Sequence, residues 1–176
     1  GLITQVGLCP MQVHDLPICR LFFETAPVLR AGDLLLEARG FVDGATLTFL
    51  KQQRHVDVIV PLKSTMLSYH EAVQLAALQD EWQPHPARDH QHIAFVKGVD
   101  HLWDACQVPL NACGIRYWNR TKKALDYIVL VTTDQRLNGA WIVRHYEERP
   151  EIEQDYEQRK SGGWQLKKLS STRYSE

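Results

Sequence analysis

Residues 33–62, DLLLEARGFVDGATLTFLKQQRHVDVIVPL, set the fold class of this chain. Gly32-Asp33 is a turn signal, and the continuous apolar run Leu34, Leu35, Leu36 suits a strand buried on both faces of a partly parallel sheet. Gly40 ends that run. Asp43 is placed to cap a helix carrying Ala45, Leu47, Phe49 and Leu50. Residues 55–62, HVDVIVPL, alternate and are β-branched, so they predict a second strand. Strand, helix and strand within about thirty residues form a βαβ-like unit, whose two strands run parallel.

Upstream, Asp15 is positioned to cap the segment LPICRLFFETAPVL, where Ile18, Leu21, Phe22 and Leu29 recur at helical intervals and Pro17 fits the first turn. His14 and Asp15 adjoin, which reads more simply as a cap and its neighbour than as a catalytic pair. Downstream, SYHEAVQLAALQ is helix-compatible, WQPHPARDHQH is a proline-interrupted loop, and HIAFVKGV predicts a strand. GIRYW and DYIVLVTT are two further strands, with residues 119–124 as their hairpin connection. After Asn138-Gly139 a helical region opens with AWIVRHYEER, and Ser161-Gly162-Gly163 ends it. The opening run and the basic tail from Trp164 both read as cut ends, so a fragment of a longer domain is expected.

At 176 residues the chain fits one domain with a genuine core. Twenty basic and 21 acidic side chains nearly cancel, so no global basic field announces nucleic acid. The distribution is uneven, however. Residues 159–176 hold five basic residues and one acid, and RYWNRTKK (residues 116–123) holds four basic residues, none acidic, and two aromatics. Such patches suit a phosphate backbone and stacked bases, and equally suit ordinary surface. Cys9, Cys19, Cys106 and Cys113 form no CxxC pair, which fits reduced thiols in a cytosolic protein. His85, His90, His92, His101 and Cys106 lie close in sequence but match no common zinc spacing. No apolar run reaches the roughly 20 residues of a membrane span, and no signal peptide opens the chain.

The remaining stretch is residues 146–160, YEERPEIEQDYEQRK. Tyr146, Arg149, Glu153, Tyr156 and Lys160 alternate by steps of three and four, which on a helix stacks them along one face. A solvated, charge-laced helix face is the plainer reading of that spacing. Pro150 belongs at a first helical position, which sets Tyr146 and Arg149 in a preceding turn.

Tyr, two residues, Arg, three residues, Glu, six residues, Lys resembles the signature of the insertion-sequence-four family of bacterial DDE transposases. Tyr146, Arg149, Glu153 and Lys160 carry the match. The resemblance extends to residues 34–63, because that family has a buried strand ending in Asp-Arg-Gly-Phe, a helix, and a strand ending in Pro-Leu-Lys. Here Ala38-Arg39-Gly40-Phe41 stands in the first of these, with Ala38 where the second catalytic Asp is expected. Glu37 is one residue off and would face away, and Asp43 lies past the strand end. Ala38 therefore reads as a lost ligand.

The resemblance implies an α/β fold: an RNase H-like mixed sheet flanked by helices, with a β-rich insertion (about residues 64–138) before the Glu-bearing helix. It implies Glu153 as catalytic residue and metal ligand. Tyr146, Arg149 and Lys160 would lie around the DNA strand, with Arg116, Trp118, Arg120, Lys122 and Lys123 as further DNA contacts from the insertion. Such enzymes attack a phosphodiester in line with two divalent ions, Mg²⁺ or Mn²⁺, held by three carboxylates. The expected partner is double-stranded DNA (transposon ends and target), with a homodimer and a cytoplasmic, bacterial setting, and no membrane. The first carboxylate should lie upstream of Gly1, since none of Asp15, Asp33 or Asp57 has a resembling context. One carboxylate cannot place two ions, so the chain should be inactive. The alternative is a non-catalytic DNA-binding remnant.

Overall fold

The computed structural model describes residues 15–25 and 29–148. A helix, α1 (Asp15–Thr25), precedes strand β1 (Leu34–Leu36), a 3-10 turn (Arg39–Phe41) and helix α2 (Gly44–Phe49). A π-helical turn (Leu50–Arg54) prolongs α2 and leads to β2 (Asp57–Pro61). Then come α3 (Leu67–Gln79), β3 (Gln83–Pro84), β4 (Gln91–Lys97), β5 (Asn111–Asn119), β6 (Ala124–Thr132) and α4 (Gly139–Glu147). The described chain is a mixed α/β structure with one six-stranded sheet in the order β1-β2-β6-β5-β4-β3.

The βαβ unit read from residues 33–62 is present. β1 pairs parallel with β2, Leu34 beside Asp57 and Leu36 beside Ile59. Asp43 caps α2, its Oδ2 accepting from the Thr46 backbone N–H at 2.9 Å and from the Thr46 hydroxyl at 2.6 Å. His55, in the left-handed region at φ 55°, turns the chain into β2. Every other strand pair is antiparallel. β1, expected to be buried on both faces, is only half-buried, because among the described residues it is an edge strand. β2, between β1 and β6, is the strand buried throughout.

Helices cover both faces of the sheet, so two cores form. On one face Val58, Val60, Val129, Val131, Ala94, Val96 and Ala112 pack under α2 and α3 with Leu47, Leu50, Ala72 and Ala76. On the other, Ile59, Ile93, Cys113, Ile115 and Leu130 pack under Ile142 and Val143 of α4. The period of two along each strand assigns successive residues to opposite cores, as Val58 and Ile59 show. Residues 64–138, expected as a β-rich insertion, supply β3 to β6, which continue the same sheet from β2 without a break. β5 starts at Asn111, earlier than the expected Gly114, because the hairpin register carries pairing down to Asn111 beside Thr132.

A buried polar network closes the end of the sheet where β2 begins. Asp57 Oδ1 accepts from Lys51 Nζ at 2.6 Å and from the Thr133 hydroxyl at 2.9 Å, and Thr133 Oγ1 in turn accepts from the Val58 N–H at 3.0 Å. Truncating Asp57 leaves the buried Thr133 hydroxyl without its acceptor and the partly exposed Lys51 without its ion partner. Asp57→Ala should therefore cost about 2–4 kcal/mol in chemical denaturation; a loss below about 1 kcal/mol would mean the network adds nothing net.

Candidate nucleic-acid interface

The site expected from the sequence has three parts: the end of β1, the basic hairpin and the helix carrying the signature. At the first, the Glu37 N–H donates to Ile59 O at 2.9 Å, extending the ladder one residue past β1. Ala38 follows in extended conformation (φ −78°, ψ 155°), and the Phe41 N–H then donates to Ala38 O at 2.9 Å as the chain turns. Residue 38 thus stands at the carboxyl end of a strand in a parallel pair. Leu35 packs with the α2/α3 core and Leu36 with the α4 core. By alternation Glu37 belongs to the α2/α3 side and Ala38 to the α4 side.

Glu37 is 4% exposed, and neither carboxylate oxygen has a hydrogen-bond partner among the described residues. Burial, with a smaller contribution from nearby Asp43, pushes its acid up to about 8. A hard divalent ion needs ionised carboxylate oxygens and room for waters. Glu37 is held neutral and shut from water, Ala38 offers a methyl group, and Asp43 Oδ2 is occupied in capping α2. These residues do not fit a two-ion site. Among the described residues no group of three or more His, Cys, Asp or Glu could hold a metal ion. His85 and His101 lie apart from each other, His85 against Glu147 and His101 against Glu71.

The hairpin expected over residues 119–124 forms, with Asn119 opposite Ala124. Asn119 builds the turn: its Oδ1 accepts from the N–H groups of Thr121 and Lys122 at 3.0 and 3.1 Å. The four cations of RYWNRTKK divide into two pairs. The Arg116 guanidinium lies over the Trp82 ring, 4.3 Å from its centroid. Lys122 Nζ donates to Asp126 Oδ2 at 2.8 Å; the Lys122 and Asn119 side chains together hold the Asp126 acid down to about 2. Arg120 and Lys123 are exposed and have no ion-pair partner among the described residues. Trp118 is 58% exposed, beside an equally open Leu125 on β6. Tyr117, Trp118 and Arg120, with Asp89, His90 and Gln91, line a groove of about 410 Å³.

Helix α4 begins where Asn138 Oδ1 accepts from the Trp141 N–H at 3.0 Å. Gly139 seats it close to the sheet: a Cβ there would lie 3.2 Å from Phe95 Cβ and 3.4 Å from Cys113 Sγ. Tyr146 is half-buried against the α4-side core. The last turn of α4 meets the loop between β3 and β4, where Arg88 Nε donates to Glu147 Oε1 at 2.7 Å. β4 is four places from β1, and strands lie about 4.8 Å apart, so roughly 19 Å of sheet separates them. Tyr146 lies on the α4 side of the sheet, the side that Ala38 takes by alternation. Arg149, Glu153, Tyr156 and Lys160, with His14, lie outside the described residues.

Glu37, His85, Arg88, Glu147 and Asp126 carry the electrostatics of this region, and a linear reading does not mark them as site residues. For Lys122 and Asp126 a spacing of four is a usable signal; Arg88 and Glu147 are 59 positions apart, and Glu37 is set by burial, which no spacing marks. No helix among the described residues is long and apolar enough to cross a membrane. Compared with known proteins, the chain matches no family model, no curated protein and no solved structure.

Proposed function

We propose that this chain belongs to an RNase H-like catalytic domain of an insertion-sequence-four-type DDE transposase, catalytically silent in its present form. The observation that carries this reading is the conjunction of two motifs. Tyr146, Arg149, Glu153 and Lys160 stand at the family spacing, and Ala-Arg-Gly-Phe lies at the carboxyl end of β1 within a parallel βαβ unit. Open α/β sheets place their chemistry at the carboxyl ends of parallel strands, which is where residue 38 lies. The natural substrate is double-stranded DNA at transposon ends, and the hairpin of residues 116–123 is its contact through Trp118, Arg120 and Lys123. The physical ground for silence is that Glu37, Ala38 and Asp43 do not fit a two-ion site.

The test is a nicking assay on end-containing DNA with Mg²⁺ or Mn²⁺, comparing Ala38 with Ala38→Asp in the longest reading frame that holds this domain. Cleavage is expected only with Asp. Metal-dependent nicking by the Ala38 form would overturn the reading of residue 38.

The poor fit of a metal to the β1 end favours a second reading, a DNA-binding remnant that needs no ion. It differs in outcome: both forms stay silent, while DNA affinity survives chelation and weakens with salt, as a contact made by cations to phosphates must.

A further inference from the structure

The loop at residues 85–91 is closed around one imidazole. The His85 side chain is 1% exposed. Its Nδ1 accepts from the backbone N–H groups of Ala87 at 3.2 Å and Arg88 at 3.0 Å. The His85 N–H donates to Gln91 O at 3.0 Å, and the Gln91 N–H donates back to Arg88 O at 3.4 Å. Because Nδ1 accepts, the ring proton of the neutral imidazole is on Nε2, and Nε2 points at Glu147 Oε1 of α4, 3.6 Å away. Arg88 Nε donates to that same oxygen. Asp89, His90 and Gln91 of this loop form one wall of the groove whose other wall is Tyr117, Trp118 and Arg120. His85 thus holds the turn of this loop, and Arg88 makes the hydrogen bond that joins the loop to α4.

We propose that His85 is an acid-released latch that keeps the 85–91 loop, and with it one wall of the groove, folded in the turn seen beside α4. With the ring neutral, two backbone donors are satisfied and the loop keeps the turn from which Arg88 reaches Glu147. A proton on Nδ1 removes the only lone pair those donors use and sets N–H against N–H. The attraction a charged ring gains for Glu147 acts across 3.6 Å, longer than a hydrogen bond, whereas the two hydrogen bonds that protonation breaks measure 3.0 and 3.2 Å. The groups around the ring agree with this order. Arg88 opposes a charge on His85, Glu147 from α4 favours it, and burial opposes it most; the net effect holds the imidazole below its ordinary range. Asp89 and His90 lie further along the loop, His92 of β4 pairs with Pro84, and His145 of α4 is turned to Trp141 and Glu148.

The sign follows. A histidine whose folded pKa is lowered binds fewer protons when folded, so the latch is closed above the ordinary value of 6.5 and opens as the pH falls below it. The latch involves only the described loop and helix and stands apart from the transposase reading.

Solvent-exchange NMR of the Ala87 and Arg88 amides tests it, together with the His85 ring-proton titration. Between about pH 7.5 and about pH 5 the protection of both amides should fall about tenfold, with a midpoint shared by the His85 resonance. In His85→Asn the side-chain Oδ1 occupies the place of Nδ1 and does not titrate, so no pH step should remain. His85→Ala should leave both amides unprotected at either pH. Constant protection in the wild-type chain across this range, or the same step in His85→Asn, would overturn the proposal. The asparagine variant decides the matter even where the alanine variant fails to fold.

Discussion

Glu37→Gln should erase a fall in stability that the wild-type chain shows as the pH rises. Folding lifts the Glu37 acid from 4.5 to about 8, so the folded state binds a proton that the unfolded chain gives up. Below the unfolded value both states are protonated and the burial carries no ionisation cost. Between the two values stability declines by about 1.4 kcal/mol per pH unit, and past the folded value the loss levels off at about 4–5 kcal/mol. The glutamine has the same shape and cannot ionise. Urea denaturation at about pH 5 and about pH 8.5 should show the gap between variant and wild type moving by about 4 kcal/mol in favour of the variant. Glutamine keeps unpaired polar atoms in a dry site and loses about 1–3 kcal/mol for them at either pH, so the pH-dependent change in the gap is the observable. Glu37→Met, which removes those atoms, should be the more stable variant at high pH. Parallel curves for wild type and Glu37→Gln would show that Glu37 does not change its protonation on folding.

Gly44→Ala should destabilise the chain by about 3 kcal/mol, the reverse of what helix propensity alone dictates. Gly44 opens α2, and alanine at a helical position ordinarily gains about 1 kcal/mol over glycine. Here an added Cβ would lie 2.7 Å from the Ala105 carbonyl carbon, 2.8 Å from the Cys106 nitrogen and 2.9 Å from the Ala105 oxygen. All three are backbone atoms, so no side chain can swing aside. Either α2 or the loop at residues 98–110 must shift. That shift would pull the Gln107 N–H from the Thr48 hydroxyl, which accepts it at 2.9 Å. Chemical denaturation measures the effect, and a variant more stable than wild type would show that the loop is not held against α2.

Whether Glu37 is charged, and whether Gly44 tolerates a side chain, depends on which segments pack together. Most of the elements, in contrast, are legible locally. The apolar run at Leu34, the cap at Asp43, the β-branched alternation ending at Leu62 and the turn at Asn119 each depend on residues within about four positions. Such signals survive in a linear reading. The same holds for the parallel sense of β1 and β2, which follows from the helix between them.

Local pattern is thus enough for the parallel βαβ unit, the hairpin, the helix after Asn138 and the position of Ala38 at a strand end. Which of those residues are chemically available is settled only by packing. Thr133 reaches Asp57 across 76 positions and Arg88 reaches Glu147 across 59. Arg116 is drawn over Trp82, so half of the basic character of RYWNRTKK goes into internal contacts. Glu37, which in sequence is an acid next to a catalytic position, becomes a neutral group inside the core. The reason is physical: secondary structure responds to short-range periodicity, whereas a charge responds to the dielectric and the partners that packing assembles around it.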